Sequence, residues 1–223
     1  LNCSSQGKTK KGADQMASLT LKHVDRAFPN GYEAVKDLNF RIEDGEFVIL
    51  TGPSGSGKSA VMRMIAGLDE VKNGEIWIGD KLVNSLPPEE RGIAMIFQNY
   101  TVYPRMTVLE NVELGLRLRG IDEKEIGKRT LEVLELLDLV EVRFAKVKNL
   151  SDLWKHRTAL ARAMILKPDV ILMDEPLRNV SPQFHNQLIQ ELMELQERTG
   201  VTILYATKNV EEMALLGKRK VMV

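Results

Sequence analysis

The feature that most constrains this chain is a run of eight residues, Gly52-Pro53-Ser54-Gly55-Ser56-Gly57-Lys58-Ser59, which fits the pattern G-x-x-x-x-G-K-[ST]. Just before it stand Phe47, Val48, Ile49, Leu50 and Thr51. An apolar run that short, between Gly45 and Gly52, reads as a strand buried on both faces, as in a parallel sheet. Residues 59–68 then read as a helix. Strand, glycine turn and helix in that order are the context the pattern requires. The glycines let backbone N–H groups wrap a polyphosphate, Lys58 reaches its terminal phosphates, and Ser59 offers a hydroxyl to Mg²⁺. A chance match at average residue frequencies arises roughly once in a hundred chains of this length. A glycine-rich turn that only caps a helix is the competing reading.

A second apolar run, residues 169–173, ends in Asp174-Glu175. Two carboxylates at the C-terminal end of a buried strand stand where open α/β sheets bind their ligands. Asp174 is expected to orient the Mg²⁺ shell, and Glu175 to polarise a water for attack on a γ-phosphate. An acidic strand end or a helix N-cap is the plainer alternative. The two motifs are expected on adjacent strands.

Around these motifs, strands are expected at 19–24, 39–42, 76–78, 92–97 and 201–205, and helices at 154–166 and 181–199. Residues 108–139 read as one helical stretch in which Ile126, Thr130, Val133, Leu134 and Leu137 form a single 3.6-period stripe among charges. Strands alternating with helices imply an α/β fold with a mostly parallel sheet and an N-terminal antiparallel β portion. The helical residues at about 100–166 then form an inserted subdomain. Residues 1–15 are polar and without periodicity, a loose leader or an expression remnant, which leaves 16–223 as one nucleotide-binding domain.

Composition narrows the function classes. The 223 residues carry 31 Lys+Arg against 31 Asp+Glu, so no bulk charge draws nucleic acid or a membrane surface. With 43% hydrophobic and 28% charged residues the chain is neither disordered nor fibrous. Cys3 is the single cysteine, which excludes an internal disulfide and a cysteine zinc cluster and fits a reducing, cytoplasmic setting. No apolar run reaches the roughly 18 residues of a membrane span, so any membrane passage belongs to another chain.

With both motifs in hand, the chain from about residue 17 to 223 resembles the ATP-binding subunit of ABC transporters. Residues 96–112, IFQNYTVYPRMTVLENV, resemble that family's Q-loop segment, and the resemblance implies that Gln98 reaches the Mg²⁺ and the attacking water. Residues 30–40 and 83–88 are most similar to importer ATPases for sugars and glycerol phosphates. Phe28 falls where the family places an aromatic that stacks on adenine; a core aromatic near a strand end is the other reading. The resemblance implies ATP and Mg²⁺ as cofactors and Gly52 to Ala60, with Asp174, as their binding set. Glu175, Gln98 and Lys58 would be the catalytic group, with Ser59, Gln98 and Asp174 at the metal. It also implies a second nucleotide-binding subunit, identical or different, and permease subunits that hold the chain at the inner face of the membrane. The coupling surface would lie near 100–112.

Four places depart from the family's pattern. Its Leu-Ser-Gly-Gly-Gln signature, which faces the γ-phosphate of the opposite subunit, is here Leu150-Ser151-Asp152-Leu153-Trp154. Glycines there allow close backbone approach, and the helix N-terminus favours an anion. Asp152 helps the helix by about 0.3–1 kcal/mol yet brings negative charge to the phosphate position. The segment that is normally Ser-Asn-Leu-Asp-like is Arg178-Asn179-Val180-Ser181, so the D-loop aspartate has become Ser181. Lys208 stands at the switch-histidine position and lacks a neutral acceptor for orienting water. Ala60 replaces a hydroxyl worth about 0.5–1.5 kcal/mol, too little to abolish binding.

Losing one element of transition-state positioning typically costs about 10²–10³ in rate. The expectation is therefore an ABC-type ATPase with intact nucleotide binding and weak turnover as a homodimer. The alternative is a catalytically weak nucleotide-binding regulatory or structural subunit of a heteromeric complex. A small-molecule kinase would need an acceptor-binding segment, which the sequence does not offer. Val223 comes soon after the last expected strand, so the C-terminal regulatory domain that sugar-importer ATPases often carry is not expected within this sequence, which is then either a truncated piece or a chain without that control.

Overall fold

A computed structural model of the chain describes residues 17–27, 33–98 and 102–223. Phe28 and the expected leader lie outside them. The described chain forms two sheets. β1 (Leu19–Ala27), β2 (Glu33–Ile42), β4 (Asn73–Ile78) and β5 (Lys81–Leu82) make a four-stranded antiparallel sheet in the order β2-β1-β4-β5. β6 (Ile93–Ile96), β7 (Val170–Asp174), β8 (Thr202–Ala206), β3 (Phe47–Thr51) and β9 (Arg219–Met222) make a five-stranded sheet in the order β6-β7-β8-β3-β9, with every neighbouring pair parallel.

The three inner strands β3, β7 and β8 are almost wholly apolar because they are covered on both faces, whereas the edge strand β9 is mostly exposed. Side chains alternate across a strand, so each strand serves two cores. Ile171 and Met173 of β7, with Ile203 and Tyr205 of β8, join the helices α2 (Val108–Leu118), α3 (Glu123–Leu136), α4 (Asp152–Met164) and α5 (His185–Thr199) in one cluster. Val170, Leu172, Leu204 and Ala206 face the other way, toward α1 (Lys58–Ala66) and the antiparallel sheet. Each of the fully buried Val, Leu, Ile and Met side chains among them contributes about 1.5–3 kcal/mol. The parallel sheet is thereby fixed from both sides, and so are the loops at its strand ends.

Three expectations change. The motif strands β3 and β7 are not adjacent, because β8 lies between them and pairs with both. The apolar run at 201–205 is thus the central strand of the site, and spacing along the chain carries no information about that insertion. The helical stretch at 108–139 divides into α2 and α3. Gly120 at φ 66° ends the first, and Asp122 caps the second by accepting from the backbone N–H of Lys124. The stripe itself is as expected, with Ile126, Thr130, Val133, Leu134 and Leu137 all buried. Finally, 181–199 begins with a 3₁₀ turn, Pro182–Phe184, before α5.

Candidate nucleotide site

Register along the parallel sheet sets the site. Leu50 of β3 and Asp174 of β7 both pair with Ala206 of β8. Three strands therefore end at one level, and the glycine loop, Asp174-Glu175 and Thr207-Lys208 leave them side by side. The ladder continues one step past the strands: the Glu175 N–H donates to the Ala206 carbonyl at 2.9 Å, and the Thr207 N–H to that of Leu50 at 3.1 Å.

All three glycines of the loop have positive φ, 150° at Gly52, 84° at Gly55 and 98° at Gly57. A Cβ on Gly52 would run into the carbonyl oxygen of Val223 and the hydroxyl of Ser56. Gly57 is the N-cap of α1 at φ 98°, a left-handed conformation that glycine adopts without strain. No side chain caps α1 and no acidic residue lies in its first turn, so its first N–H groups are available to an anion. Lys58 is buried, and its ammonium donates to the carbonyls of Gly52 at 2.7 Å and Pro53 at 2.8 Å. Burial pushes its pKa down, against the opposing pull of the Glu175 charge.

Ser59 joins the loop to the carboxylates by donating its hydroxyl to Oδ1 of Asp174 at 3.1 Å. Asp174 is 7% exposed, and burial raises its pKa, with the Ser59 bond acting in the opposite direction. Glu175 sits at φ 44°. A non-glycine residue there costs roughly 1–3 kcal/mol and persists only where its surroundings impose it, here the bond to Ala206.

A cleft of about 470 Å³ opens between these groups, bordered by Ser54, Gly55, Gly57, Lys58, Ser59, Ala60, Gln98, Glu175, Arg178 and Lys208. Ser56 and Asp174 stand behind this wall, Asp174 reached through Ser59. Lys208 donates to the Ser54 hydroxyl at 3.3 Å, which puts the residue at the switch position against the phosphate loop. Thr207 before it is fixed by a buried network in which Thr207 and Tyr205 both donate to Oε2 of Glu212 at 2.8 Å. A larger cleft, about 700 Å³, opens elsewhere between opposing surface charges and borders none of the expected site residues. Most of the expected site residues border the smaller one.

The donor set suits a hard cation carried by phosphates. Ser59, Asp174 and Gln98 offer oxygens only, and among the described residues no group of three His, Cys, Asp or Glu side chains could hold a metal alone. Mg²⁺ keeps several waters and takes one or two carboxylates plus phosphate oxygens, so these residues fit it.

The structure adds two relationships that the sequence reading missed. Arg178 donates through Nη1 to Oε2 of Glu175 and to Oε1 of Gln98, both at 3.3 Å. Away from the cleft, Asp152 begins α4, and its carboxylate accepts from the Ser181 hydroxyl at 3.1 Å and lies 3.6 Å from the Lys155 ammonium. Leu153 and Trp154 pack partly against the helical core, which takes some of their bulk inward. The signal for the first relationship, an arginine three residues after Glu175, matches no motif.

The chain is similar to several known proteins. The ABC transporter family profile matches residues 35–178. The chain is 42% identical over 204 residues to the sn-glycerol-3-phosphate import ATP-binding protein UgpC of Jannaschia sp. (strain CCS1), covering 92% of this chain and 58% of that protein. It is 41% identical over 207 residues to the trehalose import ATP-binding protein SugC of Mycobacterium tuberculosis (strain ATCC 25618 / H37Rv), covering 93% of this chain and 53% of that one. The chain thus spans a little over half the length of these relatives. Among solved structures, a dimeric ATP-binding cassette in a post-hydrolysis state bound to ADP and Pi aligns with a TM-score of 0.74 at 32% identity, over 88% of this chain and 90% of that one. The ADP conformation of an ATP-binding cassette of an ABC transporter aligns at 0.79 and 24% identity, over 89% and 84%, and carries the fold alone.

Proposed function

This chain belongs to the ABC transporter family, and on that premise we propose that it is an ATP-binding subunit that couples Mg-ATP binding and hydrolysis to import of a sugar or a glycerol phosphate. The observation that carries the reading is the Ser59–Asp174 hydrogen bond, which closes the phosphate loop onto the carboxylate strand across β8. In this reading the loop amides and Lys58 hold the phosphates, and Ser59, Asp174 and Gln98 face the metal. Glu175 accepts a proton from the attacking water. Magnesium, when bound with the nucleotide, neutralises phosphate charge during transfer. Lys58 then exchanges the Gly52 and Pro53 carbonyls for phosphate oxygens, a charge-assisted contact.

The partners follow from the same premise. A second nucleotide-binding subunit completes each site, and permease subunits carry the solute and hold the chain at the inner face of the membrane. No helix among the described residues is long and apolar enough to cross a membrane itself, and the importer names of the relatives support a permease-bound role. Residues 100–166 are read as the helical subdomain that meets the permease.

Turnover as a homodimer is proposed to be weak, because Asp152 puts a carboxylate at the start of the helix that would meet the opposite phosphate. The second reading, a nucleotide-binding subunit that regulates a heteromeric complex, draws on the same residue. Phosphate release by the purified chain, compared with a variant carrying Asp152→Gly, Leu153→Gly, Ser181→Asp and Lys208→His, tests this. A rise of at least about tenfold in the variant is expected, since each restored element is worth about 10²–10³ where it acts. Equal rates overturn the assignment of the deficit to these positions.

A further inference from the structure

One guanidinium spans two strand ends in the cleft. Gln98 follows β6 and Glu175 follows β7, and Arg178 Nη1 donates to both side chains at 3.3 Å. The same turn holds Gln98 a second time, through the Asn179 amide, which donates to its backbone carbonyl at 3.2 Å. Arg178 is 53% exposed, while Glu175 is only 14% exposed. The cation therefore reaches inward from solvent over a largely enclosed carboxylate and has room to leave.

On the reading of the cleft as a Mg-ATP site, the oxygens that Arg178 occupies are those that face the metal and the attacking water. A guanidinium and a divalent ion both need these lone pairs, and they repel each other at such short range. We propose that Arg178 is a positioning residue: a cation of the chain's own that holds Gln98 and Glu175 in the nucleotide-free chain and must leave before a divalent metal engages Gln98 and a water reaches Glu175. Two consequences have opposite signs. Metal binding is weakened by the arginine, whereas nucleotide without metal is favoured by it, because Arg178 adds a third cation to Lys58 and Lys208 around the phosphates. A residue that merely supported the fold would move both affinities in one direction.

The test uses the full chain with Arg178→Gln and Arg178→Lys. Mn²⁺ affinity at saturating ATP is read by electron paramagnetic resonance, and ATP affinity is read separately in EDTA. For a pair this exposed, Arg178→Gln is expected to tighten Mn²⁺ by about three- to tenfold and to weaken metal-free ATP by a similar factor. Arg178→Lys keeps the pattern of the unsubstituted chain. Mn²⁺ affinity within about twofold of that chain in Arg178→Gln overturns the proposal, and so does a parallel loss of both affinities. Failure of the unsubstituted chain to take up ATP overturns the reading of the cleft itself, and the role of Arg178 with it.

Discussion

Ser181 donates its hydroxyl to Oδ2 of Asp152 at 3.1 Å, joining the turn after β7 to the first residue of α4. In the family this chain resembles, the carboxylate stands at the first of these positions and a glycine at the second. Here the carboxylate is on the helix and the hydroxyl on the turn, so two departures that lie far apart in sequence are one contact in space.

That contact makes a one-sided change costly. Ser181→Asp alone would set two carboxylates against each other on a partly exposed surface and is expected to destabilise the fold by about 1 kcal/mol. Asp152→Gly in the same chain should remove that penalty. Urea unfolding of the two single variants and the double variant gives the coupling directly, and simple additivity would contradict the contact.

Asp174 carries a pH signature. Burial raises its carboxyl above the ordinary 3.8, so the folded, nucleotide-free chain holds this proton more tightly than the unfolded one. Its contribution is favourable below the unfolded value and is lost as pH rises through the folded one. Asp174→Asn keeps an acceptor for Ser59 and cannot ionise. Thermal melts without nucleotide should therefore show the variant more stable at neutral pH, with the gain shrinking as pH falls toward 3.8. A gain independent of pH would contradict the burial of a charged carboxylate.

Arg91 anchors the helix that carries the phosphate loop. It is 5% exposed, and its guanidinium donates to the carbonyls of Met64 and Ile65 at the end of α1, and to those of Asn84 and Leu86. Arg91→Ala leaves those carbonyls without their donor and is expected to cost about 3 kcal/mol in urea unfolding. Arg91→Lys should recover little, because a point charge cannot reach four acceptors arranged around a planar fork.

The parts of the site that were legible in the sequence are those whose physics is local. The loop Gly52 to Ser59 declares its conformation through glycine and its ligand through Lys58. The apolar run that ends at Asp174 shows on its own that a carboxylate caps a buried strand. The boundary between α2 and α3 is also written locally, in Gly120 and the capping Asp122, but a stripe that starts only at Ile126 does not mark it. What stayed hidden depends on long-range pairing. The placement of β8 between β3 and β7 rests on backbone registers over residues far apart in sequence. The reach of Arg178 to Gln98 crosses 80 positions, and no periodicity or motif encodes such a meeting. The left-handed backbone of Glu175 is likewise imposed by Ala206 rather than by its own side chain.

The central claim is that the loop between β3 and α1, closed onto Asp174, receives a magnesium nucleotide. Calorimetric titration of Mg-ATP into the unsubstituted chain and into Lys58→Ala tests it most directly. Saturable binding at one site per chain in the micromolar to millimolar range is expected. The variant should bind about 10- to 100-fold more weakly, the worth of a charge-assisted phosphate contact. Saturation at equal affinity in both chains, or none in the unsubstituted one, would contradict it.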